Sequence, residues 1–247
     1  MIPRTIHQIY FQGDPPPELQ RNVDRLKALN PGWKHRLWDN LQAESHIRAF
    51  YGDEMLNTYR MIDPRYGAPR SDFVRHLLLH TLGGVYFDIK SGCETPLDEL
   101  IRPDDSYLLA QWPEAHPCSY PHRALAHIPG GEFVTWFVAA EPAHPFSAAM
   151  ISTMVKNVAT YTSWSGFGRT GALQLAGPIA YTLALHPILS EHPHRFIPFD
   201  GLYYSIEYDH QGAFPQHYSQ QIAPIVQMGA IRAALHRLLV PLRTAHE

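Results

Sequence analysis

The apolar positions change period several times along the chain, and each change marks an element. In TIHQIYF, Thr5 to Phe11, β-branched and aromatic residues run together ahead of QGDPPP, which predicts an opening strand stopped by a Gly/Pro loop. Leu19, Val23, Leu26 and Leu29 recur at spacings of four, three and three, one apolar stripe on a helix closed by Asn30, Pro31 and Gly32. WKHRLWD, Trp33 to Asp39, is short enough for a second strand, so the chain begins as a βαβ unit. Residues 40 to 68 keep a helical pattern broken at Gly52 and Pro64.

The middle of the chain alternates in the same way. RSDFVRHLLLHTLGG predicts a helix with Ser71 as its cap, Asp72 complementing the positive end of the dipole and Gly83 supplying a left-handed C-terminal residue. VYFDI emerges from it as a buried strand. Ser106 to Gln111, Glu132 to Ala140 and Arg195 to Asp200 read as further strands, and Phe146 to Tyr161 and Gly177 to Leu185 as helices, with His144 a helix-start residue. Strands alternating with helices predict an α/β domain on a largely parallel sheet.

The last segment differs. Met228, Ile231, Leu235, Leu238 and Leu242 share one face, while Arg232, His236, Arg237 and Arg243 occupy much of the rest. The chain therefore divides into residues 1–225 and a basic amphipathic helix, 226–247. That helix either docks on the domain or rests on an anionic membrane surface.

Composition narrows the classes. Of 247 residues, 45% are hydrophobic and 17% charged, which fits a folded globular chain, and a formal net charge of −3 argues against nucleic acid as a partner. Sixteen histidines are scattered, with no HExxH, and Cys93 and Cys118 are too few for a disulfide framework or a four-ligand zinc site. MIPRTIHQIY lacks the apolar core of a signal peptide, and no window reaches about 18 uninterrupted apolar residues. On that pattern the expectation for a whole gene product is cytoplasmic.

The candidate chemistry gathers around Asp88. Asp72 and Arg75 lie three apart on one helix face, and their helix runs through Gly83-Gly84 directly into the strand that ends at Asp88. Ligands of open α/β sheets bind at the carboxyl ends of strands, so three polar groups converge there. The bland alternative is a local ion pair of small value beside the polar end of a strand. GRTGALQLAGP, Gly168 to Pro178, lacks the GxxxxGK[ST] pattern and is not a phosphate loop.

IPRTIHQIYF, NPGWKHRLWD, RSDFVRHLLLHTLGGVYFDIKSGCETPLDEL, FVAAEPAHPF and LAGPIAYTLAL stand in an order that resembles glycosyltransferase family 32. This group carries the DXD sugar-binding region and is similar to fungal initiating mannosyltransferases and clostridial toxin glucosyltransferase domains. The resemblance implies a GT-A fold, a Rossmann-like domain binding a UDP- or GDP-sugar, and retaining transfer to a glycan or lipid-linked acceptor. For such a transferase without a spanning segment, and with a basic amphipathic tail, the expected setting is surface polysaccharide or glycolipid synthesis, peripheral on the inner face of the membrane. The resemblance further implies that Ile9 and Tyr10 border the base, that Asp72 and Arg75 hold the donor sugar, and that Asp88 is the first acid of the DXD motif.

The chain departs from that pattern at Lys90, which stands where the second acid belongs. An ammonium supplies no oxygen ligand to Mn²⁺ or Mg²⁺. Three readings follow. Lys90 replaces the ion against the leaving diphosphate; or the ion persists on Asp88 and a downstream ligand, with His217 chosen ahead of Asp209 and His210; or activity is lost, leaving a binding protein of degenerate transferase fold. Tyr203, Tyr204 and Tyr208 are candidates to pack beside an acceptor sugar, and Asp39, at a strand end, to approach the nucleotide.

Overall fold

In the computed structural model, the described residues are 1–114, 116, 119, 122–162, 164–204 and 218–227. The chain opens with β1 (Thr5–Ile9), α1 (Pro17–Leu29) and β2 (Lys34–Trp38), then α2 (Asn40–Arg60) and α3 (Gly67–Leu82). Strands β3 (Gly84–Phe87) and β4 (Ser91–Cys93), the short α4 (Leu97–Leu100), β5 (Tyr107–Leu109) and β6 (Phe137–Ala140) follow. Helices α5 (Pro145–Ala159), α6 (Gly168–Leu175) and α7 (Pro178–Leu185) precede β7 (Arg195–Phe196) and β8 (Leu202–Tyr204).

Six strands form one sheet in the order β2-β1-β3-β6-β5-β7. β2, β1 and β3 are mutually parallel, β6 runs antiparallel to β3 and β5, and β5 is parallel to β7. Helices cover both faces, as the βαβ pattern requires. Alternation along the strands feeds two apolar layers: Tyr86, Val138 and Leu109 join α3, α5 and α7, while Val85, Phe87, Phe137 and Leu108 join Leu26 and Leu97 on the other side. The expected α/β domain on a mostly parallel sheet is observed, and the reversed β6 makes that sheet mixed.

Polarity decides which residues meet. Because β6 alone is reversed within β1, β3, β6 and β5, one edge of the sheet receives the carboxyl ends of β1, β3, β5 and β7 and the start of β6. Tyr10, Asp88, Trp112, Phe199 and Thr135-Trp136 are thereby gathered from distant stretches of sequence.

The Gly83-Gly84 link makes this possible. Gly83 has φ +61° and Gly84 φ +104°, where glycine avoids the steric cost of a side chain. A Cβ on Gly84 would also stand 2.5 Å from the Thr5 carbonyl oxygen and one on Gly83 2.7 Å from Pro142. The helix can therefore turn into β3 within two residues.

Several elements differ from expectation at their ends. Helix α3 begins at Gly67 rather than at Ser71, with Tyr66 preceding it and no side-chain cap. Pro69 is tolerated because the first-turn N–H groups have no intrahelical acceptor, and Ser71 becomes part of the cleft wall. Asp39 caps α2 through the Gln42 N–H at 2.8 Å, with Gln42 returning to the Asp39 N–H, so its carboxylate is committed to a capping box. The predicted break at Gly52 is present, with φ +80°. Strand β6 starts only at Phe137, where the Trp136 carbonyl takes the last ladder bond from the Asp88 N–H and also accepts from the Ser91 hydroxyl. The glycine-rich 168–175 stretch, left without an element of its own by sequence, is α6. His144 starts α5 as expected, its Nδ1 accepting from the Phe146 N–H. His217, Asp209, His210, Tyr208, Cys118 and the amphipathic helix from 228 onward lie outside the described residues.

Candidate active site

A cleft of about 510 Å³ opens at the sheet edge just described. One wall is built by α3 and β3. The first turns of α3 present Gly67, Ala68, Ser71, Asp72 and Arg75, and the end of β3 presents Asp88. The expected trio is therefore assembled in space.

Arg75 is its centre. It is almost wholly buried, and one side-chain nitrogen pairs with Asp72 Oδ1 while another donates to the Thr135 carbonyl. Asp88 Oδ1 lies 3.8 Å from the guanidinium. The Tyr86 ring stands beneath Arg75 at 4.6 Å, and its hydroxyl donates to Asp88 Oδ1 at 2.9 Å. Burial, then the neighbouring Asp88 charge, pushes the Tyr86 hydroxyl well above its usual pKa, so it stays a donor. Asp72 and Asp88 are thus fixed by one buried cation, which places two carboxylates and a guanidinium in a defined constellation.

The Asp88 backbone is equally constrained. Its N–H donates to the Trp136 carbonyl at 2.9 Å, and its carbonyl accepts from Gln8 Nε2 and the Ser91 N–H. Asn22 on α1 donates to the carbonyls of Ile89 and Ser91, holding the turn that follows. Ile9 and Tyr10 line the same cleft at the end of β1, with Tyr10 packed on Leu19, Val23 and Ile89.

Lys90 also lines the cleft, with its Nζ 4.6 Å from the centre of the Tyr204 ring. The pairing of β4 with β8 brings this about, since Ser91 sits opposite Tyr204. Tyr203, one residue earlier, turns away and donates to Asn22 Oδ1 at 2.6 Å, so only Tyr204 of that pair is placed for a ligand.

A divalent ion finds a poor donor set here. Among the described residues no group of three His, Cys, Asp or Glu side chains could hold a metal. At the motif itself Asp88 is one carboxylate already accepting from Tyr86, and Lys90 brings positive charge where a second oxygen ligand is needed. The residues in view do not fit the ion by themselves, and His217 lies outside them.

The opposite wall holds residues that sequence reasoning missed. Trp112 follows β5, Glu132 and Trp136 precede β6, and His122 and Arg169 complete the lining. Trp112 Nε1 donates to Glu132 Oε1 at 2.6 Å, and His122 Nε2 lies 3.1 Å from Oε2. Burial raises the Glu132 carboxyl to a pKa of about 7, against the lowering effects of the Trp112 hydrogen bond and the Arg169 charge. Burial lowers the His122 imidazole, and Arg169 adds to that. Trp112, Trp136, Phe199 and Tyr204 pack together with ring centres 5.4–5.8 Å apart. No spacing in the sequence joins positions 112, 132 and 204. A lone acid after Gly130-Gly131 was the one local sign.

Comparison with known proteins agrees with the fold and the motif. Residues 16–107 match the model of the glycosyltransferase sugar-binding region containing the DXD motif. Mannosyl phosphorylinositol ceramide synthase CSH1 of Saccharomyces cerevisiae is 24% identical over 199 residues, 74% of this chain and 49% of the relative. Inositol phosphoceramide mannosyltransferase 1 of Schizosaccharomyces pombe is 28% identical over 160 residues, 63% and 43% of the two chains. The chain thus spans about half the length of the curated relatives it matches or less. Among solved structures, the PaToxG glycosyltransferase superposes with a TM-score of 0.53 at 18% identity, over 77% of this chain and 72% of that one. The UDP-bound glycosyltransferase domain of the YGT toxin gives 0.52 at 9% identity, over 100% and 91%. These structures share the GT-A-type fold.

Proposed function

We infer, from the match of residues 16–107 to the glycosyltransferase sugar-binding region containing the DXD motif and from the similarity to mannosyltransferases, that the chain transfers a hexose from a nucleotide-sugar donor to a hydroxyl acceptor. The observation that carries this reading is the convergence of Asp72, Arg75 and Asp88 at the carboxyl edge of the sheet, in a cleft that also takes in Ile9 and Tyr10. Ile9 and Tyr10 border the base, Asp72 accepts hydrogen bonds from sugar hydroxyls, and Arg75 fixes Asp72 while facing the donor.

Cleavage of the sugar–phosphate bond leaves negative charge on the nucleoside diphosphate and positive character on the ring. Lys90 lies two residues beyond Asp88 on the cleft lining, and its ammonium suits the diphosphate. Asp88 faces the ribose and the sugar. The family resemblance supports retention, and we assign it to a same-face substitution in which the leaving phosphate takes the acceptor proton, a step that needs no protein nucleophile. The relatives' names support a mannosyl donor and an inositol-containing lipid acceptor, and the UDP-bound structural neighbour supports a uridine donor. An acceptor at a membrane also suits the basic amphipathic pattern of residues 226–247, as a foot on the anionic cytoplasmic face.

The test is hydrolysis of a panel of UDP- and GDP-sugars with Mn²⁺ and with EDTA. We expect one donor to be hydrolysed, with the rate retained in EDTA and reduced about a hundredfold in Lys90→Met, the order typical of losing one group that stabilises the developing charge. Strict Mn²⁺ dependence would move diphosphate neutralisation to an ion completed by residues 205–217. The replacement of the second acid by Lys90 favours one rival, a non-catalytic binding protein of the same fold. Nucleotide-sugar binding without turnover under either condition would establish it.

A further inference from the structure

The far wall of the cleft contains groups that the donor reading does not use. Glu132 is about nine-tenths buried, yet it lines the cleft. Its Oε1 accepts from Trp112, while Oε2 is sealed from solvent and accepts no aligned hydrogen bond among the described residues, although His122 Nε2 stands 3.1 Å away. A buried carboxyl oxygen left in that state costs stability and calls for a partner. Beside it, the Trp112 and Tyr204 rings are only half-buried, and both line the cleft.

The sheet order separates this wall from the base end. β1 carries Tyr10, and β5, leading to Trp112, lies three strand spacings away, about 14 Å at ordinary strand separation. Tyr10, Asp88 and Glu132 line one continuous cleft, so a donor whose base lies at Tyr10 and whose diphosphate lies at Asp88 has Glu132 beyond it. What reaches Glu132 from outside is then the second substrate.

We propose that Glu132, held by Trp112 and flanked by His122 and Tyr204, forms an acceptor subsite for a polyhydroxylated ring, a sugar or a cyclitol. A carboxyl group can accept from one ring hydroxyl, or donate to it when protonated, while an aromatic ring covers the apolar C–H face. Trp112 fixes the carboxyl in one orientation, so the subsite is preorganised. This assignment rests on the transferase reading for its name as an acceptor site, but the recognition chemistry stands without any turnover.

The experiment is ligand-observed saturation-transfer NMR on the full chain, with and without saturating UDP. Methyl α-D-mannopyranoside is the probe in one arm and myo-inositol in the other. At least one probe is expected to bind saturably, and the arm that does so identifies the ring class. Glu132→Ala should weaken that binding at least tenfold while UDP and GDP affinities stay within twofold. Glu132→Gln, which keeps one donor and one acceptor, should restore part of it. If Glu132→Ala fails to fold, Trp112→Phe, which loses the Nε1–H contact and part of the indole's packing while keeping an aromatic ring, should weaken the probe severalfold.

Saturable binding by neither probe would overturn the proposal, as would unchanged affinity in the variants or parallel loss of nucleotide affinity. Hydrolysis of a nucleotide sugar without probe binding would remove the subsite and leave the donor reading. Probe binding sensitive to Glu132, without any hydrolysis, would keep the subsite and remove transfer.

Discussion

The two walls of the cleft are built on different principles. The α3–β3 wall takes its polar groups from one continuous stretch, residues 72 to 88, and binds them together through Arg75. The far wall draws Trp112, Glu132 and Tyr204 from three separate stretches and binds them through ring packing and one indole hydrogen bond. In the first, charge is compensated by charge. In the second, a buried carboxyl has one fixed donor, Trp112, with the His122 imidazole and the Arg169 charge nearby. A carboxylate paired with arginine is ready to hold a ligand's hydroxyls in one state, whereas a carboxyl with a pKa of about 7 exists in two.

The largest effect should come from breaking the compensated wall at its centre. Arg75→Met would leave Asp72 buried without its cation and the Thr135 carbonyl without its donor. We expect a loss of about 3–5 kcal/mol of stability, the usual result of removing one partner of a buried pair. Urea denaturation measures it, and a loss below about 1 kcal/mol would mean that the pair is effectively solvated.

Asp88→Ala separates site from scaffold. Asp88 is only partly buried, so we expect a melting temperature near that of the parent together with a loss of donor hydrolysis of about a hundredfold. Unfolding of the variant, or undiminished hydrolysis, would take Asp88 out of the donor site.

The far wall should reveal itself through pH. Glu132 has a folded pKa of about 7 against a reference of 4.5, so between those values the folded state holds more protons than the unfolded chain, and stability falls as pH rises. That loss is complete above about pH 7 and absent below about 4.5. Glu132→Gln does not titrate, so its advantage over the parent should grow from pH 4.5 to 7 and then level. The ceiling is about 3 kcal/mol, less where a protonated His122 stabilises the carboxylate. A stability difference independent of pH would show that Glu132 titrates normally.

The contrast between the walls also explains what was legible in advance. Asp72, Arg75 and Asp88 could be placed together because a helix repeat, a two-glycine turn and a strand end are local rules. Trp38 at the end of β2, His144 at the start of α5 and the stop at Gly83 follow from equally local chemistry. Asp39 misled for a related reason: an acid at a strand end is also an acid ahead of a helix, and capping won. Ser71 lost to Gly67 because a proline in the first turn does not delay a helix.

The sequence by itself determined the α/β alternation, the donor-side trio and the departure at Lys90, since each depends on residues within a few turns of one another. Only the tertiary structure decided the far wall. The reversal of β6 and the pairing of β4 with β8 bring Trp112, Glu132 and Tyr204 to one edge, and nothing in their sequence separation encodes that meeting. The burial that raises the Glu132 pKa arises with the same packing, because desolvation belongs to the assembled surroundings of a residue and not to its neighbours in the chain.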